Sequence, residues 1–187
     1  MSRFCIALIM ASGLCTLAAR AQITNLPPTE LETFEAQTGT VIVKGAGQIG
    51  SLAVDALTIN VIGKESVNVS TGRRQYGMAV EVVANDQRAW KRVVDYDEMN
   101  SLINGLNYLA RIDYKVTELP TFVAGYVTRS GLRVGAFTSQ RRGVIQYFLQ
   151  DYSTNSPRIL ITPAQLSQFE DLVDQTRKNL DLLQAVH

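Results

Sequence analysis

The chain has 187 residues, of which 19% are charged, and its formal net charge is +1. Nucleic-acid-binding domains are strongly basic, so this balance excludes nucleic acid from the expected partners. Only two cysteines and one histidine are present, and all three lie near the chain ends, which leaves few residues for thiol or zinc chemistry.

The first 21 residues have the composition of a cleaved secretory signal. An apolar run follows Arg3, and the small residues Ala19 and Ala21 stand where signal peptidase needs them. Polar residues interrupt the run, which is too short for a membrane span of about 20 apolar residues; an uncleaved anchor helix is the alternative. We therefore expect cleavage between Ala21 and Gln22, export to the periplasm or the medium, and no transmembrane anchor in the mature chain.

Cleavage would leave 166 residues without a cysteine and with a net charge of −1, because residues 1–21 hold both cysteines, two arginines and no acid. A chain of this length can be stable through hydrophobic burial alone, without disulfides. Its one histidine, His187, is the terminal residue and is poorly placed for a catalytic triad. The sequence therefore assigns no catalytic residue, no metal ligand and no cofactor.

Residues 22–39 predict an extended lead and a short helix, and residues 40–187 predict a single α+β domain. The lead is extended because it contains two adjacent prolines. In the helix, Thr29 and Glu32 have the spacing of a capping box, and Gly39 can close the end.

From residue 40 onward, β-branched and aromatic residues alternate with turn signals, which is typical of strands. Each group of strands is followed by a helical pattern. The predicted strands lie near 40–45, 51–63, 66–71, 75–84 and 90–95, before a helix at about 97–111, and near 121–129, 132–139, 143–152 and 158–161, before a helix at about 163–184.

Both long helices have start signals at the sequence level. Asp95 and Glu98 have capping-box spacing before the first helix. Thr162 and Gln165 have the same spacing before the second, with Pro163 at its first position.

The two parts of the domain, about 40–112 and 121–187, share this order of predicted elements. The apolar stripes of the two long helices, which start at Met99 and Leu166, align at an offset of 67 positions. We interpret the halves as tandem copies; two unrelated halves with the same element order are the alternative. The predicted fold class is α+β, with an antiparallel sheet built from two similar strand-rich halves, each closed by a C-terminal amphipathic helix packed on the sheet.

Gly45, Gly47 and Gly50 follow an apolar run and have the spacing of a dinucleotide-binding fingerprint. Such a site needs a helix directly after the glycines and a second parallel strand that ends in an acid. The acid available here, Glu65, follows Gly50 by only fifteen positions, which leaves no room for a full helix and crossover. We therefore interpret the glycines as punctuation between antiparallel strands, where they supply positive φ or a bulge, and we expect no cofactor.

Three acids fall within four residues at Asp95–Glu98. Clustered carboxylates are typical of Ca²⁺ sites and of acid–base pairs. The spacing of an EF-hand loop fails, because Met99 occupies its third ligand position. A helix N-terminus explains the acids better, since carboxylates there accept hydrogen bonds from free N–H groups.

Two arginine pairs, Arg73-Arg74 and Arg141-Arg142, lie 68 positions apart, each at a predicted turn between strands. If the halves are related by a two-fold axis, four guanidiniums could together bind a phosphate or a carboxylate. Solvated turn charge that discourages edge pairing is the alternative. These four residues are the candidate anion-binding site.

Asn68 begins an Asn-Val-Ser sequon for N-glycosylation. The sequon has a meaning only in a eukaryotic secretory pathway. The sequence alone leaves the host, and so the modification, open.

Together these observations favour an exported, non-catalytic binding or assembly module. Its partner would be an envelope or extracellular component, and a homo-oligomer is compatible with the sequence. The alternative is a carboxylate-dependent hydrolase that acts on an extracytoplasmic glycan or phosphate ester. Two facing acids in a cleft would favour the hydrolase, whereas an exposed apolar patch would favour the binding module.

Overall fold

The computed structural model describes residues 26–138, 143–154 and 156–186. The predicted signal segment with its cleavage position, Arg141-Arg142 and His187 lie outside these residues. No helix in the described part of the chain combines the length and the apolarity that a membrane crossing requires.

The described residues form both helices and antiparallel strands, which confirms the predicted α+β class. The three α-helices are α1 (Glu30–Glu35), α2 (Met99–Ala110) and α3 (Pro163–Ala185). Short 3-10 turns lie at Tyr96–Glu98 and Tyr114–Val116. The strands are β1 (Ile42–Val54), β2 (Leu57–Asn68), β3 (Arg74–Ala84), β4 (Gln87–Asp95), β5 (Val123–Val127), β6 (Leu132–Thr138), β7 (Ile145–Asp151) and β8 (Ile159–Ile161).

These eight strands form two antiparallel sheets instead of the one that was predicted. The first sheet has the order β1-β2-β3-β4, and the second has the order β5-β6-β7-β8. Every neighbouring pair of strands is consecutive in the chain and antiparallel, so each sheet is a meander. We call them the first sheet and the second sheet.

The predicted break between strands 40–45 and 51–63 is wrong. Strand β1 continues through the three glycines, and the chain turns only afterwards, where Asp55 adopts a φ of 51°. A glycine in extended conformation interrupts no ladder, so a glycine-rich stretch can remain a strand when its neighbour supplies the hydrogen bonds.

Each long helix packs on the sheet of the other half. Helix α3 lies against β1, β2 and β3 of the first sheet, whereas α2 lies against β5 and β6 of the second. The two helices also contact each other. The ring of Tyr126 in β5 lies so close to Gly105 of α2 that a Cβ there would come within 2.9 Å of it.

The apolar stripes of both helices are buried in one hydrophobic cluster that includes residues of both sheets. The predicted stripe positions have exposed fractions of 2% or less. They are Met99, Leu102, Leu106 and Leu109 in α2, and Leu166, Phe169, Val173 and Thr176 in α3. The 3-then-4 spacing therefore identified the buried faces correctly.

Helix α1 covers the opposite face of the first sheet. Its Leu31 and Phe34 are buried, and Glu35 accepts a hydrogen bond from Lys64 at 2.6 Å and one from Ser66 at 2.9 Å. Burial alone would raise the pKa of Glu35, but these bonds and the Lys44 ion pair outweigh it and hold the pKa below its ordinary value.

Two of the three predicted capping boxes are confirmed. Thr29 with Glu32 caps α1, and Thr162 with Gln165 caps α3 after the proline at its first position. The third is wrong, because the Asp95 side chain makes no capping bond to its own helix. Asp95 binds the start of α1 instead, as described below.

Strands β4 and β7 are joined by a buried ion pair. Arg92 donates from Nε and Nη2 to the two carboxylate oxygens of Asp151, whose exposed fraction is 1%. Burial would raise the pKa of Asp151, but the hydrogen bonds from Arg92, Ser153 and Thr154 outweigh it, and the pKa lies below its ordinary value. A bidentate pair of this kind fixes the two sheets relative to each other.

The burial of Phe169 generates a test of the packing. Phe169→Ala should lower the free energy of unfolding by about 3–5 kcal/mol, because it removes a fully buried ring and leaves a cavity. Gln168→Ala, next to it on the exposed face, should change the stability by less than about 0.5 kcal/mol. Urea unfolding of both variants measures this, and equal midpoint shifts would show that the stripe is misplaced.

Candidate functional site

The three glycines of the apparent fingerprint lie on one strand of an antiparallel pair. Gly45 is opposite Glu65 and Gly47 is opposite Gly63 on β2, and the register shifts between Gln48 and Gly50. The predicted bulge is therefore confirmed. Positive φ is not used there, since among the described glycines it occurs at Gly39, Gly72, Gly131 and Gly143. No helix follows the glycines, so the geometry of a dinucleotide loop is absent from these residues.

A groove of about 450 Å³ lies above these glycines, beneath the C-terminal part of α3. Its floor is formed by Gly45, Gly47 and Gly63, and its walls include Leu180 and Leu183 of the helix. We call it the glycine-floored groove. The groove exists because these three neighbouring floor positions of the sheet carry no side chain.

Gly50 and Gly47 differ in how much space surrounds them. A Cβ at Gly50 would lie 2.5 Å from Cδ2 of Leu172, so a larger residue there would have to displace the end of that leucine side chain where α3 crosses β1. A Cβ at Gly47 would have nothing within 4 Å, and its φ is not positive. Glycine inside a strand weakens it relative to a β-branched residue. The backbone and the packing therefore give no reason for glycine at 47, whereas the open groove does.

The predicted arginine site is only partly described. Arg74 starts β3 and forms an ion pair with Glu65 at 2.5 Å, and Arg73 lies exposed in the turn between β2 and β3. Arg141 and Arg142 lie outside the described residues, so the joint four-arginine site remains a prediction. The pairing with Glu65 means that a ligand anion would compete with a resident carboxylate for Arg74.

A second, polar cleft of about 460 Å³ contains Arg74. It lies between the start of β3, the 3-10 turn after β4 and the end of α3, and we call it the Arg74 cleft. Its polar side chains are Arg74, Gln75, Tyr76, Tyr96 and Gln184. The sequence analysis identified only Arg74 among these five residues. Isolated tyrosines and glutamines form no sequence motif, so nothing in the sequence shows whether such a residue lines a cleft, lies in the core or lies on the surface.

The acidic stretch at the start of α2 has a structural role that links distant segments. Asp95 is fully buried and accepts hydrogen bonds from the backbone N–H groups of Glu30 and Leu31 at 2.8 and 2.9 Å. Arg129 donates to Asp95 at 3.1 Å and also pairs with Asp97. The interpretation as helix-terminus carboxylates is correct in kind, but the helix that Asp95 serves is α1 and not α2.

Glu98 is the one member of this stretch that is incompletely paired. Its Oε1 accepts a hydrogen bond from the backbone N–H of Arg129 at 2.8 Å, while its buried Oε2 has no partner among the described residues. Burial raises the pKa of Glu98, and the charges of Asp95 and Asp97 raise it further, against the opposing effect of Arg129. An acid–base role would also need access to substrate, and Glu98 is only 8% exposed.

The sequon asparagine is engaged in a network of its own. Asn68 is 5% exposed, and its Oδ1 accepts bonds from the backbone N–H groups of Ser70 and Thr71. Its Nδ2 donates to Gln37 at 2.9 Å. The nitrogen that a glycan would need is therefore occupied in the folded protein.

Carboxylates within the described ranges do not gather into a metal site. No group of three or more His, Cys, Asp or Glu side chains is placed there to hold a metal ion. The acids that do lie close together are bound by arginines or by backbone N–H groups, which removes them from simple coordination chemistry.

The burial of Glu98 has a consequence for the pH dependence of stability. The folded pKa lies above the unfolded value of about 4.3, so folding favours the protonated acid. The protonated Glu98 contributes its full stability below the unfolded pKa, and this contribution is lost as the pH rises through the folded pKa. Each unit of difference between the two pKa values corresponds to about 1.4 kcal/mol in the free energy of unfolding. Glu98→Gln should remove this loss. Urea unfolding between pH 4 and 8 should show the variant gaining on the wild type as pH rises, and a constant difference would contradict the assignment.

Comparison with known proteins adds no further identification. No family model matches the chain, and no similar curated protein or solved structure is found. The function therefore has to be argued from the grooves, charges and packing described above.

Proposed function

We propose that the protein is an exported, non-catalytic binding module that takes an aliphatic group of its partner into the glycine-floored groove. The observation that carries the proposal is Gly47, whose position leaves open space where a side chain would fit without strain. Glycine within a strand lowers the stability of the fold. A ligand that fills the open space would explain why the strand has a glycine there.

The groove has the size and chemistry of a binding site. Its volume of about 450 Å³ falls in the range of ligand pockets. Leu180 is buried at its wall, whereas Leu182 and Leu183 are 68% and 42% exposed beside it. Exposed leucines next to a hollow can bury further apolar surface when a ligand binds, and this favours an aliphatic group over a polar one.

The strand beside the groove favours an extended protein segment as the carrier of that group. Strand β1 is an edge of the first sheet, and Val43 and Lys44 near the groove are exposed. An edge strand presents unpaired backbone groups to which an extended segment can bind while it places alternate side chains in pockets. The expected partner is therefore a protein of the envelope or the extracellular medium.

We also propose that the two halves arose by tandem duplication. The support is that each sheet is a four-strand meander and that each is followed by a long amphipathic helix. In sequence, the two arginine pairs fall at corresponding places, Arg73-Arg74 where β3 begins and Arg141-Arg142 between the residues of β6 and those of β7.

The alternative, a carboxylate-dependent hydrolase of glycans or phosphate esters, has less support. Such an enzyme needs two acids that face a shared cleft. Of the acids at the start of α2, Asp95 is fully buried and bound by Arg129, and Glu98 is buried. None of the three acids there lines the glycine-floored groove or the Arg74 cleft.

Export predicts a defined N-terminus. The exported protein should begin at Gln22, because Ala19 and Ala21 provide the small residues that signal peptidase recognises. N-terminal sequencing and intact mass of the fractionated protein measure this. A full-length species that remains in the membrane fraction would contradict both the cleavage and the export.

Filling the groove should abolish binding without loss of stability. Gly47→Val places three carbons in the groove. The neutral apolar dye N-phenyl-1-naphthylamine, whose fluorescence rises when it binds an apolar site, is the probe. Its fluorescence gain should be at least tenfold smaller with the variant than with the wild type. The unfolding midpoint should stay the same or rise, because valine suits a strand better than glycine and meets no atom within 4 Å at its Cβ.

Matched controls separate the groove from general surface apolarity. Ala53→Val adds carbon to the same strand at an exposed position outside the groove, and should leave probe binding unchanged. Leu183→Ser at the groove wall should weaken binding, whereas Leu160→Ser, which is also half exposed but lies on β8, should not. Equal probe binding by Gly47→Val and the wild type would overturn the proposal.

A further inference from the structure

We infer that the Arg74 cleft is a second binding site and that its ligand is an uncharged sugar ring. The site is distinct from the glycine-floored groove. The groove lies over β1 and β2, whereas the Arg74 cleft lies on the β3 side of the end of α3. The two adjoin at Glu65, which lines the groove and pairs with Arg74 of the cleft.

The cleft offers both donors and acceptors within a small volume. Arg74, Tyr76, Tyr96 and Gln184 line this cleft of about 460 Å³; Gln75 also lines it, and its amide nitrogen donates to Glu30 of α1. Glu65 adjoins it through its ion pair with Arg74. Vicinal hydroxyl groups donate and accept at once, so a sugar can use a guanidinium, a carboxylate and amides together.

The charges of the cleft are balanced before any ligand binds. Glu65 holds Arg74 at 2.5 Å, and Asp181, which accepts a hydrogen bond from the hydroxyl of Tyr96, is paired with Arg177 at 2.7 Å. An anion would have to displace a carboxylate from its arginine, whereas a neutral polyhydroxyl ligand can bind to the pairs as they stand. The balance therefore favours a neutral sugar over a phosphate or a carboxylate.

Tyr76 supplies the second observation. It is 8% exposed, and its buried hydroxyl lies beside Glu65 and Arg74 without a well-aligned hydrogen bond to either of them. The side chain lies opposite Glu65 in the strand register, beside the Arg74 pair. A buried hydroxyl without a well-aligned hydrogen bond is unfavourable. A ligand hydroxyl bound to the intact Arg74–Glu65 pair would lie beside Tyr76 and could offer its hydroxyl a well-aligned hydrogen bond.

The two tyrosines add apolar surface to a polar cleft. Tyr96 is partly buried against the hydrophobic cluster, and it lines the cleft with Tyr76. Tyrosine combines an apolar ring with a polar tip, which suits a ligand that has C–H faces and hydroxyl edges. A sugar ring has both.

The test is an amide chemical-shift titration of the exported protein with three uncharged probes, maltotriose, cellotriose and chitotriose. At least one should shift the amides of Gly72, Gln75 and Tyr96 in a saturable way. Arg74→Gln and Gln184→Ala should each weaken that binding, Arg74→Gln by about tenfold, because it removes charge-assisted hydrogen bonds. Urea unfolding of the variants establishes that each is folded.

Controls and contrary outcomes are defined by the same titration. Arg88→Gln, at an exposed position of β4, and Gln168→Ala, on the exposed face of α3, should bind the probe as the wild type does. Inorganic phosphate and glucuronate are the charged probes. The inference is overturned if none of the three sugars shifts these amides, if Arg74→Gln binds them unchanged, or if only the charged probes bind and their affinity falls with salt.

Discussion

Helix α3 packs closely on the first sheet where Leu172 lies over Gly50 of β1. Leu172 occupies the space that a Cβ at Gly50 would need, at 2.5 Å. The rest of the packing depends on this close approach, since it seats Phe169 and Val173 among the strands and leads the end of the helix over the floor glycines. A larger residue at 50 would displace the end of the Leu172 side chain, which is only partly buried, and would loosen the contact between α3 and β1.

Local patterns predicted the elements well where the determining residues are close in sequence. The 3-then-4 stripes identified the buried faces of α2 and α3, and the Thr29 and Thr162 capping boxes marked two helix starts, because capping and periodicity act within a few residues. The end of β1 was misplaced for the opposite reason. Glycine permits both a turn and an extended strand, and only pairing with β2 decides between them.

Long-range choices could not be derived from the same patterns. Nothing local to Asp95 indicates that its carboxylate will cap a helix 64 residues earlier, since that requires the packing of α1 on the sheet. An amphipathic stripe also shows which face of a helix is buried but not which sheet covers it. The two candidate sites were missed as sites for this reason: each combines residues from β-strands in the first half with residues from the last helix.

Two of the buried acids are held by arginines from distant parts of the chain. The acids that are buried at element junctions, Asp95 and Asp151, are each bound by an arginine from a distant strand or turn, so they stabilise the assembly of the sheets. Glu98 differs from these two acids, because one of its carboxylate oxygens has no partner among the described residues. Neither Asp95 nor Asp151 lines the glycine-floored groove or the Arg74 cleft.

The reciprocal packing of the helices has a consequence for how the chain is made. Because α3 covers the sheet of the first half, that sheet is without its cover until nearly the whole polypeptide has been synthesised. The contacts that complete the core of the first half are therefore long-range in sequence, and long-range contacts of this kind slow folding because a large loop has to close before they form.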